Sequence, residues 1–293
     1  MKKWLLYSIY IIAASAFFIY WLFPSDMITD YIIRKADESN PDLTITIDRV
    51  KPNFPPGLKF YDVSLSNKES PAIDAEWIKV VPKFLTLFSD QKTFSFKGRT
   101  CEGNLEGEAT ITESETGPRM TVDADLAGIL MKDIHAIQDP SKYKLSGILD
   151  GKITYTREKA NEAVINAKLT ASDANFEVLG SVFSKLGLLA SLFDAGNYTF
   201  KSIDADLEIK NKKKFEIREC VLKGNQLGGN ISGSVELRTP RGRSTLNLKG
   251  TIRPHPSFLA KLGSLASQFF KGKGNENGRP FKIRGTFDNP RFR

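Results

Sequence analysis

Along Gly229-Asn-Ile-Ser-Gly233-Ser-Val-Glu-Leu237, apolar residues and glycines alternate with polar ones. The pattern returns at Gly147-Ile-Leu-Asp-Gly151-Lys-Ile-Thr-Tyr155 and at Gly103-Asn-Leu-Glu-Gly107-Glu-Ala-Thr-Ile111. Strict period two predicts strands with one buried and one wet face. The glycines share the apolar face, where they leave room for close approach by another group. Each copy is followed by a polar turn and a second alternating stretch: Met120-Val122-Ala124-Leu126, Ala163-Ile165-Ala167-Leu169 and Leu246-Leu248-Gly250-Ile252. These predict three antiparallel hairpins. Ile203-Ala205-Leu207-Ile209 and Phe215-Ile217-Glu219-Val221 predict a fourth, joined by the Lys212-Lys213-Lys214 turn.

Two stretches of helical spacing interrupt the strands and match each other. Residues 185–193 and 261–269 are identical at seven of nine positions. Leu186, Leu189 and Phe193 fall on one side of the first, and Leu262, Leu265 and Phe269 are their counterparts in the second. Such a helix covers the open face of a sheet or lies on a membrane surface; it is too short to span a bilayer. Ala127 to Ile137 reads as a shorter version of it. The unit is therefore Gly-strand, partner strand, apolar helix, then a strand opening on an aromatic residue and Lys. Units of this kind grow by stacking on their neighbours. Gly285-Thr-Phe-Asp-Asn-Pro290 reads as the start of one more.

The N-terminal third follows a different plan. Trp4 to Phe23 carries no charge and has the length of a membrane-spanning helix. Trp4, Tyr7, Tyr20, Trp21 and Phe23 mark its two ends as an aromatic belt. Lys2 and Lys3 precede it while Asp26 and Asp30 follow, which places the N-terminus in the cytoplasm and the rest outside. The competing reading is a signal peptide cut after Ala14-Ser15-Ala16, which would leave a bare apolar end. Ser25 is placed to cap a short helix through about Ala36. Strands follow at Leu43-Ile47, at Leu58-Leu65 with a bulge at Tyr61-Asp62, and at Ile73-Val81. Phe84 to Phe88 forms a short apolar turn or helix.

Composition narrows the chemistry. The chain has 293 residues, 41% hydrophobic and 26% charged, with a net charge of +8. The excess of basic residues favours anionic partners. They are spread along strands and turns, so nucleic acid is not expected. Two cysteines without a Cys-x-x-Cys pair, and two distant histidines, His135 and His255, give no zinc or redox motif. Cys101 and Cys220 sit in matching contexts, Phe96-Lys-Gly-Arg-Thr-Cys101 and Phe215-Glu-Ile-Arg-Glu-Cys220. Equivalent places in different repeats lie beyond a disulfide's reach, which predicts two separate buried thiols. Asp123 and Asp125 share an outward face, no Gly-x-Ser-x-Gly occurs, and Gly224-Asn-Gln-Leu-Gly228-Gly229 lacks a phosphate loop's strand-to-helix context. No catalytic, metal or cofactor residue is predicted.

The order of a single span, a short helix, a strand and then Phe54-Pro-Pro-Gly-Leu-Lys-Phe-Tyr-Asp-Val-Ser-Leu65 resembles the opening of the type II secretion system protein N (GspN) family. More loosely it is similar to AsmA-like envelope proteins. Phe281-Lys-Ile-Arg-Gly-Thr-Phe-Asp-Asn-Pro290 resembles the C-terminal signature of both. The resemblance implies a bacterial inner-membrane protein facing the periplasm, a non-enzymatic accessory of type II secretion with secretion-system protein partners. Its AsmA-like side implies a carrier of lipid.

The expectation is a mainly β (β-rich α+β) protein. Repeated antiparallel hairpins form a long curved sheet with short covering helices, after one N-terminal transmembrane helix. Residues 1–3 are a cytoplasmic tip, 4–23 the anchor, 24–92 an AsmA-like helix-strand module and 93–293 the β-repeat domain. Leu105, Leu149, Ile153, Ile231 and Val235, with the two helices' apolar residues, line either a lipid groove or a closed core. Alternation alone does not distinguish an apolar face covered by protein from one covered by acyl chains.

Overall fold

The computed structural model describes residues 2–39, 43–54, 56–67, 70–114, 117–139, 143–159, 162–179, 196–211, 213–256, 258–259 and 278–292. Two helices, α1 (Lys2–Trp21) and α2 (Ser25–Ser39), precede a single antiparallel sheet. Its strands are β1 (Leu43–Asn53), β2 (Gly57–Asn67), β3 (Ser70–Pro82), β4 (Gln91–Thr100), β5 (Gly103–Thr112), β6 (Arg119–Leu130) and β7 (Tyr143–Lys159). There follow β8 (Glu162–Val178), β9 (Asn197–Lys210), β10 (Lys214–Gly224), β11 (Leu227–Glu236), β12 (Thr245–Pro254), β13 (Arg279–Thr286) and β14 (Pro290–Phe292). Spatial order equals chain order from β1 to β14, so each strand pairs with the strands before and after it in the chain. The four hairpins read from alternation are β5–β6, β7–β8, β9–β10 and β11–β12. The boundary drawn at residues 92 and 93 falls inside β4, and the β3–β4 ladder, from Trp77↔Arg99 to Pro82↔Phe94, joins the segments on its two sides.

The described residues form few deeply packed places. Val178, Tyr198 and Phe258 pack together, with Phe176, Phe200 and Leu227 around them. At the β1 edge of the sheet, α2 packs on β1 and Val50 is wholly buried. The chain exposes 19357 Å², against about 12,400 Å² for a compact protein of this mass.

Several expectations change. Ser25 does not cap its own helix through its side chain. Its hydroxyl donates to the Val50 carbonyl at 2.6 Å and accepts from the Val50 N–H at 3.3 Å, tying α2 to β1. At Tyr61-Asp62 the strand kinks, with Asp62 at φ 50°, but the register on both sides is unchanged, so no residue is inserted. The helix expected over Ala127 to Ile137 is absent. Gly128 (φ 69°) makes a bulge, its N–H donating to Asp150 Oδ1 at 2.8 Å, and Ile129 and Leu130 stay paired with β7. Two 3-10 turns, Met131–Asp133 and His135–Ile137, complete the connection. The C-terminal stretch ends as the β13–β14 hairpin. Leu186, Leu189, Phe193, Leu262, Leu265 and Phe269 lie outside the described residues, and with them both predicted covering helices.

Among the described residues no helix is long and apolar enough to cross a membrane. The helix α1 has 20 residues, and the side chains at 2, 3, 12, 13, 16 and 19 lie outside the described ones. On it Trp4 is 82% exposed, and Tyr7, Tyr20 and Trp21 are exposed with it; Phe23, just beyond, is half-buried.

Candidate functional site

Directly paired residues on neighbouring strands share a face. Following the pairs across the sheet yields one row through Pro52, Leu58, Val80, Phe96, Gly107, Ala124, Ile153, Ala167, Leu207, Ile217, Gly233, Leu248 and Ile283. On the same face lies a second row: Val50, Phe60, Ile78, Gly98, Leu105, Leu126, Gly151, Leu169, Ala205, Cys220, Ile231, Gly250 and Phe281. A third row flanks the first on its other side: Pro82, Phe94, Ala109, Val122, Tyr155, Ile165, Ile209, Phe215, Val235, Leu246, Gly285 and Pro290. None of the three contains a charged residue. A shorter fourth row runs Ile129, Leu149, Ala171, Ile203, Leu222, Gly229 and Ile252.

The structure thus brings Leu105, Leu149, Ile153, Ile231 and Val235 onto one face. Most of the row residues are half-buried rather than buried. The opposite face is charged. Lys97 pairs there with Glu106 at 2.7 Å and Lys152 with Asp125 at 3.1 Å. Exposed pairs like these add at most about 1 kcal/mol each; their effect is to keep this face in water.

One row position departs from the alternation read in the sequence. Strict period two would bring Glu219 and Val221 onto the apolar face of β10. The register instead shifts between Ile217 and Cys220, so Cys220 pairs with Ala205 and Ile231. Without this bulge Glu219 would face the apolar row, at a cost of several kcal/mol for an unpaired carboxylate. Cys220 and Cys101 are consequently not equivalent. Cys101 sits in the β4–β5 turn at φ 47°, its thiol donating to the Asp133 carbonyl at 3.4 Å. Both are free thiols and only half-buried, not buried. Burial, aided by the charge of Asp204, pushes the Cys220 thiol up, which keeps it protonated and weakly nucleophilic.

The glycines in the rows have a second reason to be glycine. At Gly233, φ is 134°, and a Cβ would collide with the Asn247 carbonyl oxygen of β12 and stand 2.9 Å from Leu248 Cα. The close approach lies within the sheet rather than across its face.

On the polar face, Asp204 accepts from Lys223 Nζ at 3.2 Å and from Thr170 Oγ1 at 3.0 Å. The bond from Lys223, with that from Thr170, holds its carboxyl below the usual range. A shallow depression near the β4–β5 turn gathers Asp62, Asp74, Glu76, Glu102, Asp133 and His135. Among the described residues no group of three or more His, Cys, Asp or Glu is arranged to hold a metal ion. No protein-family model, curated protein or solved structure matches this chain.

Proposed function

We propose that this chain is a single-span, membrane-anchored, non-enzymatic protein that shields lipid acyl chains on the apolar face of its sheet. The observation that carries this reading is the three uncharged rows, two reaching from β1 to β13 and one from β3 to β14. Twelve interstrand steps of about 4.8 Å make each of the longer rows about 58 Å long. A globular domain closes such a face with a second layer, and no described residues form a second sheet over it. Shielding a 16-carbon chain, at about 0.8 kcal/mol per methylene, is worth on the order of 10 kcal/mol. An apolar strip with no fixed polar partners suits a ligand defined by chain rather than by headgroup.

The anchor reading draws on α1. A helix apolar all round is buried in protein or in lipid; here the large apolar side chains described on α1 are exposed. Without Lys2 and Lys3 the 18 residues Trp4–Trp21, at about 1.5 Å each, reach about 27 Å toward the roughly 30 Å hydrocarbon core. With Lys2 and Lys3 on the cytoplasmic side, the sheet lies in the periplasm against the inner membrane.

An accessory role in type II secretion stands second. It is supported by the resemblance of residues 54–65 and 281–290, which belong to the hairpins at the two opposite edges of the sheet. A short edge strand such as β14 suits strand addition by a protein partner.

The test uses the full chain, purified in detergent and extracted with organic solvent. Phospholipid should co-purify and be detected by mass spectrometry. Leu105 is half-buried between Gly98 and Leu126, so Leu105→Asp should remove the lipid while leaving the β-rich circular dichroism spectrum intact. A lipid-free wild type, together with a Leu105→Asp variant that fails to fold, would mean a closed core and end the carrier reading.

A further inference from the structure

The end of the sheet at which α1 leaves it carries two features that shielding acyl chains does not use. The first is apolar. Phe54, in the β1–β2 turn, is 87% exposed, and Leu85 and Phe88, in the β3–β4 turn, are 94% and 95% exposed. Turn tips are ordinarily polar, and large apolar side chains this exposed mark a contact surface. The two turns stand two interstrand steps apart, about 10 Å. The Ser25–Val50 hydrogen bonds fix the start of α2, and so the exit of α1, four residues from Phe54.

The second feature is charge. Lys51, Lys59, Lys79 and Lys97 are directly paired across β1 to β4 on the polar face. Like charges placed directly opposite destabilise a sheet. Among the described residues the row's carboxylate partner is Glu106, on Lys97. Lys59 lies over the rings of Tyr61 and Trp77 at 4.9 and 4.4 Å, and Lys79 donates to the Phe54 carbonyl at 3.2 Å. A counter-charge from outside the chain would relieve this row.

We propose that this end of the sheet docks on an anionic phospholipid bilayer, with Phe54, Leu85 and Phe88 entering the acyl boundary and Lys51, Lys59 and Lys79 meeting headgroup phosphates. The proposal rests on reading α1 as the anchor. Its dimensions agree. Apolar groups at an interface sink about 5–10 Å, and Lys51 stands three residues back from Phe54, about 10 Å along the strand. The first apolar row begins at Pro52 and Leu58 beside the same turn, so the inserted tips are continuous with the face that shields acyl chains.

The test is site-specific quenching in proteoliposomes of the full chain, with Cys101→Ser and Cys220→Ala as background. A fluorophore is placed at Leu85→Cys, Ser15→Cys or Glu102→Cys, the last in a turn at the far end of the sheet. Vesicles contain phosphatidylcholine with brominated acyl chains, with or without phosphatidylglycerol. Labels at 15 and 85 should be quenched and the label at 102 should not. Quenching at 85 should rise with phosphatidylglycerol, and Lys51→Gln/Lys59→Gln should abolish that rise. Each lysine near an anionic surface is worth about a five-fold bias toward the bound orientation. Quenching at 15 with none at 85 overturns the docking surface alone. No quenching at either position overturns the anchor, and the docking surface with it. Quenching at 85 that ignores both phosphatidylglycerol and the lysine changes overturns the headgroup assignment.

Discussion

Replacing Gly233 by valine should destabilise the protein far more than replacing its neighbour Ser234 by valine. Valine is a good strand former, so propensity alone favours both changes. At Gly233 two costs oppose it. The backbone holds φ 134°, a region that side chains other than glycine's enter at about 1–3 kcal/mol. The new Cβ also meets the Asn247 carbonyl and Leu248 Cα of the adjoining strand, and neither is the movable end of a side chain. Overpacking of this kind costs about 1–3 kcal/mol more. Ser234 lies on the polar face between Glu216 and Asn247, where a surface change stays within about 0.5 kcal/mol. In a chain of this size each kcal/mol moves Tm by about 2–4 °C, so Gly233→Val should lower Tm by on the order of 10 °C and Ser234→Val by a degree or two. The assay is thermal unfolding of the full chain in detergent, followed by far-ultraviolet circular dichroism. Equal melting temperatures would show that neither the positive φ nor the close approach to β12 constrains this position.

Two further outcomes are expected. Ser25→Ala removes both hydrogen bonds to Val50; at about 1 kcal/mol it should lower Tm by a few degrees and speed hydrogen exchange at the Val50 amide, and unchanged exchange would mean α2 is held by packing alone. Asp204 has a depressed carboxyl pKa in the folded chain, so its contribution is present above the unfolded value and lost as pH falls through the folded one. Asp204→Asn should therefore lose stability at neutral pH and approach the wild type below about pH 4, while a gap that persists in acid would locate the effect in packing.

Much of the fold was legible because alternation is a local signal. The four hairpins were visible from period two, and the facing of Leu105, Leu149, Ile153, Ile231 and Val235 followed from it. So did the placement of Asp123 and Asp125 on the opposite, wet face. What escaped the sequence were the irregular places. The bulge that brings Cys220 rather than Glu219 into the apolar row leaves no local mark, because Arg218-Glu219 fits a strand face as well as it fits a bulge. The kink at Asp62 was visible, but not that the register survives it. Ser25 carried a helix-start signal, while its hydroxyl is engaged by a strand 25 residues away. Period two states only which residues share a face within one strand. Whether successive faces line up into uncharged rows depends on register, set by turns and bulges acting between strands, and that only the tertiary structure decided.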